Sequence, residues 1–390
     1  MELMTPNVPV WDDGLWTPLP ALTGHLSADA CVIGLGGSGL TLIEELLRRD
    51  ERVIGLDAFD VGAGAAGRNG GFLLAGTYDF YHDAIRRHGH ARARAIYAAT
   101  LQEMPRIAEA APGTVRFVGS KRIAASDAEL VDCEAQYAAM RADDLPCEWY
   151  DGADGRGLFI PTDGAFDPLT RCRLLAGAVR DDGATLFAQS PVLDISGSCV
   201  KTPMGTVHAG RIFVAVDGRV EQLVPELASQ VRTARLQMLA TEPTREITVP
   251  CPMYYREGYE YWQQLPDGRI ALGGFRDAGG EEEWTTSTAP SPTVQAQLER
   301  FLREHLGVQA PISHRWAASA GYTTTGLPVI AQVRENVWAF GGYSGTGNVI
   351  GALSARAVAA AALDHDMSGV RMFLGDGWLP TDTHGQGASH

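Results

Sequence analysis

Residues 29–72 read, in order, as a strand, a glycine-rich loop, a helix, a second strand ending in an acid, and a second glycine-rich loop. Few folds accommodate that order. Residues 30–34 and 52–57 are short runs rich in Val and Ile, bounded by glycine and acid, which predicts two strands. Between them, Leu40, Leu42, Ile43, Leu46 and Leu47 predict a helix over residues 38–49, with Arg48 and Arg49 at its negative end. A strand–helix–strand unit of this length implies a parallel pair with a right-handed crossover. In the loop, Gly34 permits the tight turn, Gly36 lets the backbone approach a pyrophosphate, and Gly39 lets helix and strand pack closely. Gly37 and Ser38 open the helix, whose unpaired N–H groups favour phosphate. Asp57, followed by Ala58, is placed to accept hydrogen bonds from ribose hydroxyls. The pattern predicts an adenine dinucleotide, NAD or FAD alike. A plain glycine-rich turn with a strand-end acid is the alternative reading.

The second loop separates the two dinucleotides. After Asp57 the chain runs through Gly64-Ala-Ala-Gly-Arg-Asn-Gly-Gly71. Small residues over 62–67 allow a long planar ligand to lie against the backbone. Arg68 is a candidate to neutralise phosphate, and Asn69 to bond a heteroaromatic ring. A flexible surface loop is the alternative.

The rest of the composition narrows the class. The 390 residues suffice for two or three domains, and 45% hydrophobic with 20% charged residues is ordinary for a globular chain. A net charge of −15 argues against nonspecific nucleic-acid binding. No basic-then-apolar leader opens the chain and no uncharged apolar run approaches ~20 residues, so neither a secretory signal nor a membrane span is expected. The six cysteines form no CxxC pair and the ten histidines no HExxH motif, so no metal site is expected and a cytoplasmic location is the simplest reading. Only two of the 32 basic residues are lysines, Lys121 and Lys201.

Residues 5–28 read as a polar, proline-containing arm. Helices are expected over 79–111, 127–142, from Asp167-Pro168 to about Arg180, at about 293–306 and over 348–363. Short strands are expected over 184–216, and residues 231–275, aromatic and alternating, suggest a mostly antiparallel sheet. Residues 337–340 return to strand, followed by the glycine loop 341–347; the tail 380–390 reads as disordered. This order predicts an α/β chain of two interleaved domains. The dinucleotide domain takes residues 1–75, 160–230 and 321–390, and an α+β substrate domain on a mostly antiparallel sheet takes 76–159 and 231–320.

Ile33-Gly-Leu-Gly-Gly-Ser-Gly39 together with Gly64-Ala-Ala-Gly-Arg-Asn-Gly-Gly71 resembles the FAD-dependent amino acid and amine oxidoreductases, the glycine oxidase, sarcosine oxidase and D-amino acid dehydrogenase relatives. The Arg-Asn-Gly-Gly variant is most similar to the gamma-glutamylputrescine oxidase branch. Gly268-Arg-Ile-Ala-Leu-Gly-Gly274 resembles the substrate-domain strand that passes the flavin. Residues 316–328 and Gly341-Gly-Tyr-Ser-Gly-Thr-Gly347 resemble the C-terminal flavin-binding return, so the likeness covers about residues 8–375. It implies a Rossmann-like FAD domain of the glutathione-reductase type. It also implies flavin contacts at Gly34, Gly36, Gly37, Ser38, Gly39, Asp57, Ala58, Gly64, Ala65, Arg68, Asn69, Gly70 and Gly71. Further contacts are implied at Val192, Asp217 and Gly218, and at Gly342, Tyr343, Ser344, Gly345, Thr346, Gly347 and Asn348.

Two departures matter. Sarcosine oxidases carry a flavin-linking cysteine before their C-terminal threonine-rich motif; Ala320-Gly-Tyr-Thr-Thr-Thr-Gly-Leu-Pro328 has none, so FAD is expected to be noncovalent. Glycine oxidase relatives place a carboxylate-gripping arginine where this chain has Ala320, which favours an amine substrate unless Arg315 or Arg276 substitutes. The expected reaction is then oxidation of a C–N bond by hydride transfer to flavin N5, giving an imine that hydrolyses. An alkylamine of pKa ~10.4 must be neutral to react, a shift of ~3.4 units or about 4–5 kcal/mol that an apolar aromatic pocket supplies. Tyr259 and Tyr261, which share a strand face with Gln263, are the candidate pocket residues, with Trp316, Tyr343 and Asn69; none is assigned as a base. Sheet-core packing explains the tyrosines equally well. Ala271 stands at the position of an oxygen-activating lysine, which leaves oxygen or another electron acceptor open. The acidic run 281–283 is expected to be solvated, and His314 to be packed or exposed. An α-amino acid oxidase with a relocated anchor and a non-catalytic flavin-binding protein are the alternatives. The oligomeric state stays open.

Overall fold

Two eight-stranded sheets and a three-stranded one carry the chain in the computed structural model, which describes residues 7–375. In the first sheet, β1 (Gly24–Ile33) lies between β2 (Val53–Leu56) and β12 (Gly205–Val214). β9 (Thr185–Phe187) extends it beyond β2, and β19 (Val337–Gly341) beyond β12; all four pairings are parallel. β10 (Asp194–Ser196), β11 (Cys199–Lys201) and β18 (Val329–Arg334) add antiparallel margins. Helices α1 (Gly37–Leu47) and α5 (Pro168–Asp181) lead into β2 and β9. This is the expected doubly wound α/β arrangement, drawn from three separated stretches of chain.

The second sheet runs β17 (Ile312–Thr323), β13 (Val231–Thr241), β16 (Ile270–Gly274), β15 (Glu260–Gln264), β14 (Met253–Tyr255), β5 (Ser120–Ile123), β7 (Gly155–Ile160) and β6 (Glu148–Gly152). Its pairs are antiparallel except β5 with β14. Its register aligns Trp316, Met238, Gly273, Tyr261, Tyr254 and Arg122 across successive strands. Residues directly opposite share a face, so this row and its i±2 neighbours form one continuous surface. The small sheet, β3 (Phe72–Leu73), β8 (Gly164–Phe166) and β4 (Val115–Arg116), begins one residue after the second glycine loop.

Several elements differ from expectation. The first strand starts at Gly24, because residues 24–28 already pair with 205–209, so the arm is shorter than residues 5–28. The helix expected over 79–111 is two, α2 (Tyr81–His88) and α3 (His90–Ala110), broken at Gly89 where φ is +86°. Arg48 and Arg49 lie just past α1 and ion-pair with Glu44, Glu45 and Asp364. Helix α4 (Asp127–Ala142) keeps its expected bounds, with Ser126 as its N-cap, and Asp167 caps α5. The tail 380–390 lies outside the described residues.

The acidic run 281–283 is not simply solvated. Glu281 pairs with Arg232 at the surface, but Glu283 is fully buried. It takes a bidentate bond from Arg235 at 2.7 and 2.9 Å, plus bonds from Gln237 and Ser291. These donors hold its carboxyl below the usual range despite burial. Removing it leaves Arg235 buried and unpaired, so Glu283→Ala is expected to destabilise the fold by about 3–5 kcal/mol in urea unfolding. A change within about 0.5 kcal/mol would show that the pair contributes nothing net.

Candidate active site

The first glycine loop leaves no room for side chains. Gly34 has φ +109°, and a Cβ there would lie 2.7 Å from the Ala215 carbonyl oxygen. A Cβ on Gly39 would overlap the Gly34 carbonyl, and one on Gly36 would press on Ala66 of the second loop. The N-cap of α1 is Gly36, which supplies no capping side chain, and the first turn holds no acid. Its N–H groups, including those of Gly37 and Ser38, therefore present positive potential without a local anion.

Arg171 sharpens this picture. It is 4% exposed, and its guanidinium lies 2.6 Å from where a Gly37 Cβ would stand. Among the described residues that guanidinium makes no hydrogen bond or ion pair, and its Nε is orphaned. A buried cation beside the positive end of a helix is unfavourable unless an anion joins it. A dinucleotide pyrophosphate fits that requirement.

Asp57 accepts the Leu35 N–H at 2.9 Å and the Phe59 N–H at 2.8 Å, and burial raises its carboxyl to about 6. The Ser190 N–H bonds the Asp57 carbonyl, which brings the segment containing Val192 beside Asp57 and Ala58. Asp217 joins two distant parts of the chain: it accepts the Gly321 and Tyr343 N–H groups at 3.0 and 2.9 Å. Burial raises it to about 6. Gly218 sits where a Cβ would meet the Ser319 carbonyl at 2.7 Å.

A cavity of about 290 Å³ opens between the second glycine loop, with the C-terminal return, and the second sheet. Ala65, Arg68, Asn69 and Gly70 line it on one side, with Ser344, Gly345, Thr346 and Asn348 from the C-terminal return. The sheet contributes Met238, Tyr254, Tyr259, Tyr261, Ala320 and Tyr322. Tyr261 thus faces the cavity from β15, and Gln263 on the same face is buried, donating to the Gly70 and Gly71 carbonyls at 2.5 and 2.9 Å. Tyr259 also lines the cavity, but from the turn just before β15, not from the strand face expected for it. Tyr261 packs edge-on to Phe72 at 5.9 Å, and Tyr254 to Phe72 at 5.2 Å. Burial holds the Tyr254 and Tyr261 hydroxyls well above their usual range and Tyr322 at about 12, so these phenols stay neutral.

Four expected roles change. Trp316 is fully buried and does not line the cavity; its indole N–H donates to the Arg68 carbonyl at 2.8 Å, under the second loop. Arg68 uses Nε on the Ala317 carbonyl and Nη2 on Asn7, which straps the loop to β17 and the arm, while it also lines the cavity. Burial lowers it to about 10. The Asn69 amide bonds Ala65 and Ala66 carbonyls, the Gly71 N–H and Asn348, so the loop itself consumes the groups expected to reach a ring. Tyr343 is buried beside Gly347 and Gly351 and is not among the residues that line the cavity.

The two arginines weighed as substitutes for the Ala320 position separate. Arg315 pairs with Glu299 at 2.5 Å and Gln295 at 3.0 Å, outside the cavity, whereas Arg276 lines it. Ala271 packs with Trp316 and Met238. Lys121 pairs with Asp154 and Lys201 is exposed, and neither lines the cavity. His314 is half-buried against Ser313.

Sequence reasoning missed Tyr254, Tyr322 and Asp163. The first two follow from strand alternation once the register is known; Asp163 sits in a short β7–β8 turn with no local signature. Asp163 is fully buried, accepts the Ser120 hydroxyl at 2.6 Å and the Ala75 N–H at 3.1 Å, and is pushed up to about 7.

A family model described as FAD dependent oxidoreductase matches residues 29–361. The probable oxidoreductase OrdL of Haemophilus influenzae is 26% identical over 379 residues, covering 89% of this chain and 85% of that protein. The gamma-glutamylputrescine oxidoreductase of Escherichia coli is 24% identical over 375 residues, covering 88% and 85%. Among solved structures, glycine oxidase from Geobacillus kaustophilus superposes with TM-score 0.71 at 18% identity, covering 87% of this chain and 95% of that one. L-proline dehydrogenase from P. horikoshii superposes with TM-score 0.70 at 18% identity, covering 92% and 99%. These structures share the fold.

Two outcomes are expected. Arg171→Met should weaken binding of FAD to the apoprotein by at least ~10-fold in a fluorescence titration, while the far-ultraviolet spectrum stays unchanged. Unaltered affinity would remove Arg171 from the phosphate site. For Asp163, a carboxyl raised on folding stabilises the fold fully below its unfolded value near 3.8 and loses that contribution as pH rises through about 7. Asp57 and Asp217 act in the same sense in the flavin-free protein. Asp163→Asn should therefore shrink the loss of urea stability between about pH 5 and about pH 8, and an unchanged loss would contradict this assignment.

Proposed function

Because the chain belongs to the FAD dependent oxidoreductase family, we propose that its cavity oxidises a C–N bond of an amine. The carrying observation is the wall opposite the second loop: Tyr254, Tyr261 and Phe72 in mutual ring contact, with Ala320 where an α-carboxylate clamp would otherwise stand. A curated relative's name, gamma-glutamylputrescine oxidoreductase, supports an amine as the substrate class.

The chain's own groups supply what FAD needs. The α1 N-terminus and Arg171 would hold the pyrophosphate. Asp57, with Ala58 and Val192 beside it, would take the adenosine end. Ala65, Arg68, Asn69 and Gly70, with Ser344, Gly345, Thr346 and Asn348, would bracket the ring system. No cysteine lines the cavity, which supports noncovalent attachment. When bound, FAD would supply the two-electron acceptor for oxidation of the carbon that bears nitrogen.

The aromatic wall does the remaining work. Its three rings are uncharged, so beside them the neutral amine, whose lone pair drives the oxidation, is favoured; the acids of the cavity are Asp79, Asp163 and Glu257. The raised phenols of Tyr254 and Tyr261 cannot act as anionic bases near neutrality. The amine proton leaves to solvent before binding. Water then adds to the imine product, and the C–N bond breaks to give a carbonyl compound and a smaller amine or ammonia. No lysine lines the cavity, which supports slow reaction with oxygen or electron transfer to another acceptor.

Anaerobic mixing of the FAD-loaded protein with amines and α-amino acids tests this reading. Amines are expected to bleach the flavin absorbance, with the half-saturating concentration falling about tenfold per pH unit below the amine's own pKa. Bleaching by α-amino acids alone would favour an amino acid oxidase, and bleaching by none would favour a protein that only binds flavin.

A further inference from the structure

Of the cations that line the cavity, Arg122 pairs with Asp132 and Arg68 bonds Asn7 and the Ala317 carbonyl, whereas Arg276 has no polar partner among the described residues. β16 ends at Gly274, with φ +138°, where a Cβ would overlap the Tyr259 carbonyl. Phe275 follows with φ +57° and ψ 25°, a left-handed conformation that is costly for a bulky residue. Its ring packs 5.8 Å from Phe301. This turn ends the strand abruptly and starts the short helix Arg276–Gly279 at the cavity edge.

The Arg276 guanidinium lies 4.9 Å from the Tyr322 ring centroid and 4.8 Å from that of Trp284. Among the described residues it makes no hydrogen bond or ion pair. Its neighbours do: Arg256 holds Glu260 and Asp277, Arg232 holds Glu281, and Arg235 holds Glu283. Those acids are therefore already engaged, and Glu257 and Asp163, which also line the cavity, make no ion pair with Arg276 among the described residues. Asp79, an acid on the cavity wall, faces Arg87 at 3.2 Å and His88 at 3.4 Å. Stacking on aromatic faces leaves the in-plane N–H groups of a guanidinium free, in the fork that fits a carboxylate.

Its position differs from that of an α-carboxylate clamp. Arg276 reaches Tyr322, which stands two residues beyond Ala320 on the same face of β17, a displacement of about 7 Å along the strand. An anion held there would lie several bonds away from a C–N bond oxidised beside Tyr261. We propose that Arg276 is the anion anchor of the cavity, and that the substrate is an amine carrying a carboxylate several bonds from the oxidised C–N bond. The proposal rests on the amine-oxidising reading above.

The test uses the FAD-loaded protein, wild type, Arg276→Lys and Arg276→Met, each first checked for unchanged flavin content. Binding is read from the flavin absorbance change on adding valerate or valeramide, neither of which can be oxidised as an amine. Valerate is expected to bind the wild type at least ~10-fold more tightly than valeramide, with the preference reduced in Arg276→Lys and lost in Arg276→Met. Equal preference in wild type and Arg276→Met overturns the anchor, as does no preference in the wild type. Reduction is read separately, anaerobically, with ω-amino acids of two to six carbons against alkylamines of matching length. The longer ω-amino acids should outperform their alkylamines in the wild type and lose that advantage in Arg276→Met, whereas glycine should show none. An advantage greatest for glycine would overturn the proposed separation. Should valerate bind as expected while no amine reduces the flavin, the anchor stands and the amine-oxidising reading falls.

Discussion

The loop 64–71 enters the interior without a strand partner, so every carbonyl it buries needs a donor from elsewhere. The structure supplies them from all sides. Trp316 donates to the Arg68 carbonyl, Trp11 to that of Asn69, and Gln263 to those of Gly70 and Gly71. The Phe166 N–H also reaches Gly71. Asn69 and Asn348 tie the loop to the C-terminal helix, and Arg68 ties it to β17. One short segment thereby fixes the second sheet, the N-terminal arm and the C-terminal return relative to the nucleotide loop. Its polar residues serve that purpose, and the cavity wall is what remains once their hydrogen bonds are met.

The sheet opposite uses the same economy. Gln263 braces the loop, while Tyr261, two residues earlier on the same face, packs its ring against Gly70 and Gly273. Gly70 and Gly273 are the residues that make this approach possible, since a Cβ on either would press on the Tyr261 ring. Cavity shape, aromatic character and loop position are therefore one packing problem. Asp217 solves the corresponding problem at the far side by joining Gly321 to Tyr343.

Much of this was legible in sequence where the signal is local. Glycine spacing at 34, 36 and 39 marked the turn, and alternation at Tyr261 and Gln263 marked one strand face, whereas Tyr259, read as part of it, sits in the turn before the strand. The partners that tie Arg68, Asn69 and Trp316 into the fold were not legible because they lie hundreds of residues away or are main-chain carbonyls that sequence does not display. Glu283 looked like a solvated charge for the same reason: Arg235 and Gln237 come from another strand. Gly89 was legible as a breaker and passed over, since the flanking residues share one helical pattern. Arg276 was visible only as one of two arginines; its turn at Phe275 separates it from Arg315.

The central claim is that the isoalloxazine ring occupies the space between the loop 64–71 and the tyrosine face of the second sheet. A crystal structure of the FAD-loaded protein with a bound, unreactive amine analogue tests it most directly. The account predicts the ring against Ala65 to Gly70 and Ser344 to Thr346, with the analogue between the ring and Tyr261. A flavin ring found outside this cavity, or an analogue on the ring face away from Tyr261, would contradict it.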